Sequence, residues 1–142
     1  PAKGRVTRTA LQKAAELGDH EMVRFLIRLN ADVNAAPAHR KGGTALQLAA
    51  RGGYLQTVSI LLSFKADVDA SASKILGRTA LEGAAEYGRL DTVRMLLNAG
   101  AGTSRVYDKP QFERGKDLAR ENGHFDVAEL LEDFQTQYEG GG

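Results

Sequence analysis

Apolar residues come in short bursts at helical spacing, and each burst returns after 35 positions. Leu55, Val58, Leu61 and Leu62 form one burst, and Leu90, Val93, Leu96 and Leu97 form the next. The same period orders the residues around them. Gly18, Gly53, Gly88 and Gly123 form one ladder, Leu26, Leu61, Leu96 and Leu131 a second, and Ala14, Ala49, Ala84 and Ala119 a third. Thr9, Thr44 and Thr79 make a further ladder, with Arg114 in the last place. Self-similarity at a fixed period predicts stacked units, each too small to bury its own apolar face.

Each copy reads as two short helices. The first begins at Thr, whose hydroxyl can accept a bond from an orphan backbone N–H. It runs as Thr44-Ala-Leu-Gln-Leu-Ala-Ala-Arg51 in the second copy. Small pairs such as Ala49-Ala50 and Ala84-Ala85 let neighbouring helices approach closely. The following Gly predicts a left-handed helix end. The second helix carries the apolar burst and stops at turn residues: Ala31-Asp-Val-Asn34, Ala66-Asp-Val-Asp69 and Ala101-Gly-Thr-Ser104.

The stretches Gly43-Thr-Ala-Leu-Gln-Leu-Ala-Ala50, Gly77-Arg-Thr-Ala-Leu-Glu-Gly-Ala-Ala85 and Asn122-Gly-His-Phe-Asp-Val-Ala-Glu-Leu-Leu131 resemble the ankyrin repeat. The resemblance covers about residues 5–134. It implies an all-α solenoid of about four helix-turn-helix repeats, near 5–39, 40–74, 75–109 and 110–138. The first and last are expected to act as caps, and 139–142 as a flexible tail. Lys13, at the place of Leu48, fits an outward face at one end. Lys116 and Glu132, in places held by Leu46 and Leu62 in the second copy, fit a closing repeat at the other. Two departures stand out. Ala replaces the family's usual Pro after Thr, and Gln12, Gln47 and Glu82 stand where its His is usual. The family's Thr–His bond must therefore be rebuilt with Gln or Glu, or be absent. The period is two residues longer than the family's usual 33, which places elongated hairpin-like fingers at Ala35–Gly42 and Ala70–Gly77. Ala-rich helices with long fingers are similar to those of large tandem arrays in fungal proteins.

Charge changes this picture only locally. The chain is nearly neutral, at +1. Residues 1–71 hold ten Lys/Arg against six Asp/Glu, and residues 72–142 hold nine against twelve, a mild dipole. Near-neutrality and the lack of aromatics among Arg24, Arg28, Arg40, Lys41 and Arg51 argue against nucleic acid as a partner. No apolar run reaches the ~20 residues of a membrane span, so no membrane partner is expected. No secretory signal is visible. With no cysteine, disulfides and thiolate chemistry are excluded, and an intracellular site, cytoplasmic or nuclear, is expected. Pro1 at the start and Gly140-Gly-Gly142 at the end read as marks of a chain processed or engineered from something longer.

No catalytic constellation is visible. His20, His39 and His124 fall in different repeats without metal-ligand spacing, and each reads as structural or solvent-facing. No nucleophile elbow or phosphate loop occurs. The expectation is a non-enzyme with no cofactor and no metal, a monomer that binds a partner protein.

The resemblance implies where. Finger tips and exposed first-helix positions form a concave surface in this family. Carried over, that gives His39, Arg40, Lys41, Lys74, Ile75, Leu76 and Arg78 from the fingers. Glu16, Leu17, Arg51, Glu86 and Tyr87 come from first-helix ends, and Glu121 and Asn122 from the fourth copy. Ile75 and Leu76 can equally fold back on their finger, and Tyr107 and Phe112 read as packing of the fourth copy. Arg51 and Tyr87 are expected near the centre, with the basic half meeting an acidic part of the partner. Three other readings stay open: a spacer segment of a longer array, an engineered ankyrin binder, and a homo-oligomer that uses its own concave face.

Overall fold

A computed structural model describes residues 8–38, 42–73 and 77–141. The described residues form eight helices and no strand. They come in pairs: α1 (Ala10–Glu16) with α2 (His20–Arg28), α3 (Ala45–Gly52) with α4 (Leu55–Ser63), α5 (Ala80–Glu86) with α6 (Leu90–Asn98), and α7 (Lys109–Glu121) with α8 (Phe125–Gly140). First helices α1, α3, α5 and α7 pack in sequence as one layer, and α2, α4, α6 and α8 as the other. The architecture is the expected helical solenoid.

The core follows the ladders. Leu11, Leu46 and Leu81 of the first helices and Leu61, Leu96 and Leu131 of the second are fully buried. Ala15, Ala50 and Ala85 are equally buried, and their small side chains set the close spacing of the first-helix layer. Thr9, Thr44 and Thr79 each cap their helix, accepting from the backbone N–H three residues on. The residue three on, Gln12, Gln47 or Glu82, returns a bond to the cap's own N–H at 3.0 Å. The Thr–His bond of the family is thus rebuilt as a capping box. Gly53 and Gly88 end α3 and α5 with φ of 72° and 69°, a region costly for any other L residue.

Gln does more than cap. Gln47 Nε2 donates to the carbonyls of Ala70 and Ser71 at 2.9 and 3.1 Å, and Gln12 does the same for Ala35 and Ala36. Each finger's base is therefore tied to its own first helix. Each finger is also pinched at its neck: a Cβ on Gly42 would lie 2.3 Å from the Ala38 carbonyl oxygen, and one on Gly77 2.4 Å from the Ser73 nitrogen. Ser73 Oγ donates to Ala38 O, joining the two fingers. Turn residues link repeats as well. Asn34 bonds Lys65 O and the Asp67 N–H, and Asp69, one period on, accepts from the Gly102 N–H and Ser104 Oγ.

The fourth pair departs from register. The Thr ladder would start its first helix near Arg114. It starts at Lys109 instead, capped by Asp108, which accepts from the Gln111 N–H, with Pro110 in the first turn. Asp-Lys-Pro is a strong local start signal, and it overrides the period. Phe112 is fully buried, its ring 5.8 Å from both Tyr107 and Phe134, and Tyr107 also meets Tyr138. These aromatics pack the fourth pair, as expected. The Tyr107 hydroxyl accepts from Gln135 and donates to Glu139. Helix α8 takes in Glu139 and Gly140, the first half of the expected tail.

Candidate functional site

Two clefts on the first-helix layer are walled by charged side chains. The first, about 240 Å³, is lined by Glu16, Leu48, Arg51, Gly52, Tyr87 and Arg89. The second, about 290 Å³, is lined by Arg78, Glu82, Arg114, Asp117, Leu118 and Glu121. The first lies at the C-terminal ends of α1, α3 and α5, and the second runs from the start of α5 along α7. Small or stacked residues keep those helices close there, and the longer side chains form the walls.

In the first cleft, Tyr87 is 50 % exposed and supplies an open aromatic face. Arg51 is half-buried, and its Nε is buried without a hydrogen-bond partner. Arg89 reaches across the repeat boundary. Its stem lies over Gly53, where an added Cβ would stand 2.7 Å from Arg89 Cδ, and its Nε donates to the Arg51 carbonyl at 3.1 Å. Glu16 on the far wall is held by Arg8 and Lys13.

The second cleft is closed on itself. Glu82, almost fully buried, takes the Arg114 guanidinium at 2.5 Å, and Arg78 pairs with Glu86 at 3.3 Å. Replacing Gln by Glu at position 82 removes the donor that the earlier repeats aim at their finger carbonyls. The acid recruits a cation from α7 instead.

The family model described as "Ankyrin repeats (3 copies)" matches residues 11–106. The chain belongs to the ankyrin-repeat family. Among curated proteins, none matches the chain significantly. The match covers α1 to α6, and the re-registered α7–α8 pair lies beyond it. Ankyrin repeats are generally protein–protein interaction modules, and the family is typically non-catalytic. No helix among the described residues is long and apolar enough to cross a membrane.

The ankyrin face brings only some of the sequence candidates together. Arg51 and Tyr87 share the first cleft, and Arg78 and Glu121 share the second. Glu86 stands between them, spent on Arg78. Asn122 is exposed at the end of α7, its amide donating to Leu118 O. His39, Arg40, Lys41, Lys74, Ile75 and Leu76 lie outside the described residues. Reading along the chain misses Arg89, Leu48, Arg114 and Leu118. The signal for Arg89 was present: it holds the position of Asp19, Tyr54 and His124, the residue that opens each second helix. Tyr54 and His124 likewise sit on the preceding repeat's Gly18 and Gly88. His124 therefore has the structural place that its motif implied.

Proposed function

We propose that this chain is a non-catalytic module that binds a partner protein through its concave first-helix face, with Arg51 and Tyr87 near the centre. The observation that carries this reading is the first cleft. An open Tyr ring and a guanidinium with no partner among the described residues meet there on a helical layer. Tyr and Arg are the residue types that dominate binding hot spots. His39, Arg40, Lys41, Lys74, Ile75 and Leu76, finger residues by resemblance to the family, belong to the proposal as its edge. Arg78, Glu86, Glu121 and Asn122 extend it toward the fourth repeat. The chain acts as a monomer inside the cell, with no cofactor. Affinity capture followed by binding measurements on Arg51→Glu and Tyr87→Ala tests the placement. A loss of tenfold or more in each, with folding intact, supports it. Unchanged affinity in both contradicts it.

A second reading, a segment of a longer ankyrin array, has one specific observation in its favour. Met22 and Phe25 on α2 are 43 % and 53 % exposed, whereas the equivalent Thr57 and Ile60 of α4 are 1 % and 6 % exposed. The first repeat thus turns outward an apolar stripe that the second repeat buries. Polar substitution, Met22→Glu with Phe25→Lys, separates the readings. The array reading requires it to abolish stacking of an added preceding repeat, and the interaction-module reading requires partner binding to survive it.

A further inference from the structure

Column by column, one position on the first-helix face breaks the charge pattern. Glu16, Arg51, Glu86 and Glu121 stand at the same place in successive repeats. In repeats one and three the acid is neutralised by an Arg eight residues earlier: Arg8 with Glu16, and Arg78 with Glu86. In repeat two both partners change. Gly43 takes the place of the Arg, and Arg51 takes the place of the acid. Arg51 consequently makes no hydrogen bond or ion pair from its side chain to any described residue.

The surroundings leave room beside that half-buried side chain, whose Nε is itself buried. Gly43 supplies no side chain where repeats one and three carry the pairing Arg. Gly83, in the place of Leu48 and Leu118, leaves room too: a Cβ there would stand 3.8 Å from Arg51 Cβ and 3.7 Å from Arg78 Cβ. Arg89 adds a second guanidinium, fixed through its Nε to Arg51 O. Its order is set in advance by the stem on Gly53, so little conformational freedom is left to lose on binding. Leu48 and Tyr87 supply apolar walls. The acids nearest the cleft, Glu16 and Glu86, are already paired.

Two planar guanidiniums beside an apolar slot match a carboxylate carried on an apolar neighbour. We infer that the Arg51–Arg89 cleft receives an acidic side chain, Asp or Glu, from an extended acidic segment of the partner protein. This rests on the reading of the first-helix face as a binding surface and names the chemistry that it selects.

The test is an NMR titration of the full chain with hexaglutamate, following the Nε–H resonances of Arg51 and Arg89 and all backbone amides. Hexaglutamine and a twelve-residue oligothymidine are the comparison ligands. The account predicts that hexaglutamate shifts both Nε–H signals together with the amides of Leu48 and Tyr87. Hexaglutamine should shift neither guanidinium. Arg51→Gln should weaken hexaglutamate binding about tenfold or more, as expected for loss of a hydrogen bond to a charged group. Arg94→Gln, on the opposite layer, should leave it unchanged. Three results would overturn the inference: silent Nε–H signals, equal shifts with hexaglutamine, or tighter binding of the oligothymidine at the same arginines. If hexaglutamate moves other first-helix amides while both arginines stay silent, the inference fails and the binding face stands. If only second-helix amides move, both fail.

Discussion

The two clefts lie on the same first-helix layer and both adjoin α5, yet they use charge in different ways. The cleft between repeats three and four pairs both of its arginines internally: Arg114 with Glu82, and Arg78 with Glu86. The cleft between repeats two and three leaves Arg51 without a partner and orders Arg89 beside it. The first arrangement fastens α7, whose start is out of register, to α5. The second leaves the half-buried Arg51 side chain without an ion pair among the described residues and holds the exposed Arg89 beside it. In a repeat stack, equivalent positions do equivalent structural work, so the exception to the column is where a separate role can reside.

The largest effect should come from Leu61→Ala. Leu61 is fully buried in an interior repeat, and its loss should cost ~2–5 kcal/mol in chemical denaturation. It should weaken both clefts together, since each depends on the whole stack. Glu82→Ala comes next, at ~1–3 kcal/mol, because the Thr79 N–H and the Arg114 guanidinium both lose an acceptor. It should leave hexaglutamate binding at the first cleft intact. Thermal melts of the variant beside the parent would check both statements.

Acid titration extends the contrast to the end of the stack. Lys116 is buried where repeats two and three carry Leu46 and Leu81, and it pairs with Glu132 at 2.6 Å and Glu113 at 3.2 Å. Burial pulls the Lys116 ammonium's pKa down, but hydrogen bonds to Glu132 and Glu113 outweigh it and leave the pKa raised. The bond from Lys116, reinforced by its charge, holds the Glu132 carboxyl below the usual carboxylate range. A depressed acid stabilises the fold above its unfolded pKa and loses that effect as pH falls through its folded value. The Glu132 contribution should therefore fade on acidification below about 4.5. The raised Lys116 acts in the other direction, its contribution fading only as pH climbs past about 10.5. The double variant Lys116→Leu, Glu132→Leu restores the chemistry of the inner repeats. It should keep the thermal midpoint near the parent's at neutral pH and flatten the acid slope.

Much of this was legible along the chain, because period and capping are local properties. The Thr caps, the left-handed glycines, the buried Leu ladders and the aromatic packing of the fourth pair all follow from residue type and spacing. The start of α7 was not, because Asp108 and Pro110 outcompete a period that points to Arg114. Tyr87 was legible as an exposed place, since Gly52 and Asn122 share its position. Arg89 was not, because it acts across a repeat boundary, over Gly53. The isolation of Arg51 shows only when columns are compared and the Arg8–Glu16 and Arg78–Glu86 pairs are known to form.

The contrast between a spent cleft and an open one is tested most directly by one paired measurement, the denaturation midpoint and the hexaglutamate affinity of Arg51→Gln and Arg114→Gln. Arg51→Gln should leave stability within ~0.5 kcal/mol of the parent, as for surface positions without structural partners, and should lose the peptide. Arg114→Gln should lower the midpoint and keep the peptide. If the two variants behave alike in both measurements, the two clefts do not differ in role.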